Sequence, residues 1–136
     1  MKKVMILVLT TFLMTGLAGC GSADAGSSSE PENSYTQITM DEAITMIEQE
    51  TGYMILDVRT ANEFAEKHIP GAVNVPNESI GEEEIAELPD KEQLILVYCR
   101  SGNRSKLASE KLAALGYTNI YEFGGISDWP GETVGE

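Results

Sequence analysis

Cys99 is followed by Arg100, Ser101, Gly102, Asn103, Arg104, Ser105 and Lys106, so one thiol stands beside three cations, two hydroxyls and a glycine. A thiol is a poor nucleophile until it ionises, and nearby positive charge or hydrogen-bond donors favour the ionised form. The loop from Arg100 to Arg104 is short, contains Gly102 and leads into a helix expected to begin near Ser105. Its N–H groups can curl around one point at the positive end of that helix, where an anion is favoured. A cysteine facing that point is expected to be a thiolate, with the adjacent arginines adding to its stabilisation. The competing role, a small buried hydrophobe among ordinary surface charges, suits a lone cysteine after an apolar strand. The glycine, the helix start and the cations together favour the nucleophile.

The cations are conspicuous because the chain carries 22 acidic side chains and only 9 basic ones. Such a surface repels nucleic acid and anionic headgroups, so no nucleic-acid partner is expected. The first residues sharpen the contrast. Lys2 and Lys3 precede an apolar stretch, Val4 to Leu17, interrupted only by Thr10, Thr11, Thr15 and Gly16. It is too short to span a bilayer comfortably and reads as a secretory signal over residues 1–19. Leu17-Ala18-Gly19-Cys20 resembles the lipobox of bacterial lipoproteins, which implies cleavage before Cys20 and lipidation of its thiol. Removing Lys2 and Lys3 leaves seven basic residues, three of which are Arg100, Arg104 and Lys106.

Residues 20–34 are Gly, Ser, Ala and acidic side chains with few apolar ones, a composition expected to form a flexible tether. At that length it lets the following domain roam roughly 20 Å from the membrane. The expected location is extracytoplasmic, lipid-anchored to the bacterial cell membrane. If Cys20 is consumed by lipid, Cys99 has no internal disulfide partner, and a leftover thiol outside the cytoplasm is a liability unless it is buried or used.

Residues 35–136 are expected to form one domain with a single core. Thr39 with Glu42 has capping-box spacing, and Met40, Ala43, Ile44 and Ile47 then share a helical face over about 41–50. Met54 to Val58 is a short apolar run. Thr60 with Glu63 repeats the capping spacing and starts a helix through Lys67. Pro70-Gly71 turns into a strand at Ala72 to Val75, and an acidic helix is expected over about 81–88. Leu94 to Tyr98 is a continuous apolar run, as in a central parallel strand covered on both faces. Leu107, Ala108, Leu112 and Leu115 share a helical face ending at Gly116, and a last strand runs from about Asn119 to Phe123. Strands alternating with helices predict a parallel α/β sheet, in which ligands sit at the carboxyl ends of the strands.

Three stretches resemble a rhodanese domain over about 38–129: Asp57-Val58-Arg59 with Glu63-Phe64, His68-Ile69-Pro70-Gly71-Ala72-Val73-Asn74, and Cys99-Arg100-Ser101-Gly102-Asn103-Arg104-Ser105. The resemblance implies a three-layer α/β fold, a five-stranded parallel sheet flanked by helices, and a catalytic Cys99 that carries sulfane sulfur as a persulfide. Sulfurtransferases of the family have a six-residue loop, matched by Cys99 to Arg104, whereas related phosphatases of the cell-cycle type place five residues between cysteine and arginine. Here four intervene. The smaller ring suits one sulfur atom better than a phosphoryl group.

The expected function is transfer of sulfur from thiosulfate or a similar small sulfur-containing anion to cyanide, a thiol or a thioredoxin-like protein. Arg100, Ser101, Gly102, Asn103, Arg104 and Ser105 bind the donor and cradle the persulfide. A membrane-tethered persulfide carrier uses the same residues, and a phosphatase or an arsenate reductase fits less well. No cofactor is implied, and no cluster has metal-ligand spacing. His68 is read as structural, since a low-pKa thiolate needs no base. Asp57, Arg59 and Glu63 are read as a polar lock, with Arg59 and Glu63 four apart and opposite in charge. Gly124, Gly125 and Trp129 are read as turn and packing residues.

Overall fold

The computed structural model describes residues 34–136. The expected signal segment, Cys20 and most of the tether lie outside them. Five strands, β1 (Thr36–Gln37), β2 (Tyr53–Asp57), β3 (Val73–Asn74), β4 (Leu94–Cys99) and β5 (Ile120–Gly125), form one sheet in the order β1-β5-β4-β2-β3. Every pairing is parallel. The architecture is therefore α/β, as the alternation of strands and helices predicts.

Central β4 explains both core layers. Ile95, Val97 and Cys99 point to one face, and Leu96 and Tyr98 to the other, because successive strand residues alternate. The first face packs with Leu56, Ala108, Leu112, Tyr117 and Ile120. The second packs with Ala43, Ile55, Ile69, Phe123 and Ile126. Cys99 thus ends the strand on the side covered by α3 (Asn103–Ala114).

Helices α1 (Met40–Gln49) and α2 (Ala61–Glu66) start at Thr39 and Thr60, each with the reciprocal capping box that its spacing predicts. Ala108 and Leu112 of α3 and Leu115 at its C-cap meet the core, but Leu107 is 51% exposed and lies off that face. No helix forms over residues 81–88. Within that span only Ile85 and Leu88 are buried, too few to make the apolar stripe that holds a surface helix to a core. Three successive glutamates between Gly81 and Ile85 add repulsion and no cap. The segment instead runs along the surface as an irregular chain that inserts Ile85 and Leu88 into the core, and the Tyr117 hydroxyl donates to the Leu88 carbonyl at 2.6 Å.

Strand β1 has no apolar run to announce it. It forms because the backbone of Thr36 and Gln37 completes the edge beside β5, in register with Tyr121 and Glu122.

Candidate active site

The loop after β4 is held tightly to β5. Cys99 pairs with Gly125, with a register shift between Val97 and Cys99. A Cβ at Gly125 would collide with the Arg100 carbonyl, so glycine is required for this approach. The Ser127 hydroxyl and N–H also donate to that carbonyl, at 2.7 and 3.2 Å. Gly102 then takes φ +109, a left-handed conformation that reverses the loop and caps α3.

This turn aims donors at the sulfur. Gly102 N–H donates to Cys99 Sγ at 3.0 Å, and Ser105 Oγ lies 3.4 Å away. Burial pushes the Cys99 thiol up, but the Ser105 hydroxyl and the N–H groups of Ser105, Gly102 and Ser101 together outweigh it, so the thiol is held below its ordinary value. The amide cradle and the serine therefore lead, and the arginines contribute less than their proximity in sequence implies. Cys99 is only 1% exposed.

The basic residues go to different places. Arg104 makes a two-pronged ion pair with Glu63, at 2.7 and 2.9 Å. That guanidinium, with help from the Thr60 cap, holds the Glu63 carboxyl down at about 2 against the opposing effect of burial. Arg59 pairs with Asp57, not with Glu63: its Nη2 lies 2.6 Å from Asp57 Oδ2. Arg59 precedes the helix, so its four-residue spacing to Glu63 is not helical spacing, and Glu63 already bends back to cap Thr60. The Tyr98 hydroxyl donates to the same Asp57 Oδ2, and Arg59 also donates to the Lys67 carbonyl, both at 2.6 Å. The polar lock thus ties β2, β4 and the end of α2 together.

Arg100 makes no ion pair among the described residues. It lines a depression of about 260 Å³ with Arg59, Glu63, Glu66, Lys67, Ile126 and Ser127. Ser101, Gly102 and Lys106 face a second depression of about 300 Å³, beside Glu122 and Asp128. Asn103 is exposed in the first turn of α3. His68 Nδ1–H donates to the Phe64 carbonyl at 2.8 Å, and its ring stacks on Phe64 at 3.8 Å, so its contacts are structural. Trp129 packs on the second core face and donates to the Glu132 carbonyl.

Sequence reasoning missed Glu122. It lies two residues after Ile120, on the α3 side of β5, and is 3% exposed. Its Oε1 accepts from Ser105 Oγ at 2.6 Å and from Gly124 N–H at 2.8 Å. The available signal was an acidic side chain in the inward register of a strand. No group of three or more His, Cys, Asp or Glu that could hold a metal ion occurs among the described residues.

Comparisons with known proteins bear on the fold and the family. Residues 39–132 match the family model described as the rhodanese-like domain. Thiosulfate sulfurtransferase PspE of Escherichia coli is 36% identical over 73 residues, which cover 54% of this chain and 70% of that protein. Putative sulfur carrier protein YrkF of Bacillus subtilis is 30% identical over 107 residues, covering 78% of this chain but only 57% of that protein. A solved rhodanese with anions from E. coli superposes with a TM-score of 0.56 at 34% identity, covering 62% of this chain and 99% of the other. A parallel sheet that ends in a cysteine-bearing amide loop, within a family match that spans most of the chain, has one reading: the protein belongs to the rhodanese-like family, with sulfurtransferases among its relatives.

Proposed function

We propose that the protein moves a sulfane sulfur from thiosulfate or a similar anion to a thiol or cyanide through a Cys99 persulfide. The observation that carries this reading is the ring of donors around Cys99 Sγ, which favours an anionic sulfur in a buried place. Thiolate Cys99 attacks the outer sulfur of thiosulfate. A new S–S bond forms to Cys99, the bond to the sulfonate sulfur breaks, and sulfite leaves with the electron pair. An acceptor thiolate or cyanide then attacks the outer persulfide sulfur and returns Cys99 as thiolate.

The amides of Ser101, Gly102 and Ser105 hold the charge on either sulfur. Arg100, beside Lys67 in the adjacent depression, is suited to dock the sulfonate. Arg104, paired with Glu63, chiefly fixes the loop and lends the donor a partly neutralised charge.

Incubation with thiosulfate is expected to add one sulfur to Cys99 by intact mass and to release sulfite continuously when cyanide is present. Cys99→Ser abolishes both, and undiminished turnover in that variant rules the mechanism out. A second reading, a persulfide carrier for a partner protein, draws support from the similarity to YrkF. It gives the mass shift with little turnover.

A further inference from the structure

Behind the sulfur, three side chains stand in line: Cys99 Sγ lies 3.4 Å from Ser105 Oγ, which lies 2.6 Å from Glu122 Oε1. All three are nearly inaccessible, at 1%, 0% and 3% exposure. A carboxylate in a core register is costly unless its partners or its chemistry require it. Its inward place beside Ser105 follows from strand alternation, and the Gly124 N–H fixes the oxygen that Ser105 meets.

We propose that Glu122 takes up the Cys99 proton through Ser105, so that the three residues relay the proton from the buried thiol to a carboxylate. Ser105 has one hydroxyl hydrogen and several acceptors: Glu122 at 2.6 Å, the Gly102 carbonyl at 2.9 Å and the Gly124 carbonyl at 3.3 Å. The shortest contact is to Glu122. While Glu122 is charged, Ser105 donates to it and turns a lone pair toward the Cys99 S–H. When the S–H bond breaks, its proton joins Ser105 Oγ as the serine's own proton passes to Glu122 Oε1. The negative charge moves from Glu122 to Cys99, and Ser105 now donates to Sγ. No electrons are gained or lost by the site. Both one-proton states have a complete hydrogen-bond chain, whereas the doubly charged state leaves one hydroxyl for two anions.

Other titratable groups lie near Glu122: Lys106 on α3 and Asp128 after β5 line the same depression, and Tyr35 before β1 feels its charge. Of these and Cys99, only Cys99 is joined to Glu122 through Ser105. Glu122 acts through the serine and is in that sense a positioning residue, whose distinctive signature is a pH profile.

The inference rests on Cys99 as the nucleophile proposed above. Alkylation of Cys99 by iodoacetamide, followed against pH, tests it without any sulfur donor, so the relay and the persulfide chemistry can fail separately. The wild-type rate is expected to plateau between two rises, where the site holds one proton. In Glu122→Gln the plateau disappears, and the rate falls about tenfold per pH unit below a single midpoint. Ser105→Ala also loses the plateau. Because Gln mimics a protonated carboxyl, a single-step wild-type profile on which Glu122→Gln superimposes overturns the relay only together with an infrared spectrum that shows no protonated carboxyl at that pH. A measurement on the unmutated protein covers the case of a variant that does not fold. At plateau pH, alkylating Cys99 should remove a protonated-carboxyl infrared band as Glu122 gives up its proton, and an unchanged carboxyl spectrum overturns the proposal.

Discussion

Arg100 and Arg104 flank the same loop, yet their environments assign them different work. Arg104 is spent on Glu63, a pair at 28% and 27% side-chain exposure, whereas Arg100 faces an open depression. A docking charge must be able to approach the donor's sulfonate without first breaking another bond. Arg100→Ala is therefore expected to raise KM for thiosulfate about tenfold, equivalent to ~1.4 kcal/mol, with kcat little changed. Arg104→Ala should instead lower kcat and thermal stability together, because it leaves Glu63 unpaired and the loop less fixed. Steady-state kinetics on both variants checks the split, and an unchanged KM in Arg100→Ala refutes it.

The junction between β2 and α2 does two jobs at the element scale. Thr60 caps the helix, and the same Glu63 carboxylate that completes the cap reaches across 41 residues to Arg104. One side chain thus couples the start of α2 to the start of α3. The lowered Glu63 value fixes the sign of the pH dependence. A carboxyl held below its ordinary 4.5 contributes stability that is fully present above about 4.5 and is lost as pH falls through about 2. The denaturation midpoint of the wild type should exceed that of Glu63→Gln at neutral pH, and the two should converge as pH falls toward 2. A gap that persists there would assign the stabilisation to hydrogen bonding alone. Gly125 supports the same region from the other side, since the loop backbone occupies the space a Cβ needs.

For the whole molecule, net charge decides what can approach the surface. Twenty-two acidic side chains make the surface repel anions, while at the edge of the candidate site Arg59, Lys67 and Arg100 share one depression with Glu63 and Glu66. With Arg59 paired to Asp57 and Glu63 to Arg104, Lys67 and Arg100 outweigh Glu66 there, which would ease the approach of the anionic donor proposed above. No helix among the described residues is long and apolar enough to cross a membrane. We propose that lipid on Cys20 holds the chain at a membrane, for which the support is the small-residue run ending in that cysteine. In a bacterial host, metabolic labelling with palmitate should mark the wild-type chain and not Cys20→Ala, which should keep residues 1–19 and run correspondingly larger. Equal labelling of the variant, or an unlabelled wild-type chain, would reject the anchor.

The sequence alone determined the local features: two capping boxes, the apolar run of β4, the Gly102 turn and the cysteine at its mouth. Each signal is complete within a few residues, because helix starts and strand faces follow from spacing. Partner choice was decided only by the tertiary structure. Glu63 is four residues from Arg59 but pairs with Arg104, and Glu122 reaches Ser105 across 17 residues. The expected helix over 81–88 failed because only Ile85 and Leu88 of that span reach the core, too little apolar surface to hold a helix in place. Nothing in a linear pattern states which charges the folded sheet brings face to face. The packing of β5 against α3 does, and it puts a carboxylate two hydrogen bonds from the sulfur.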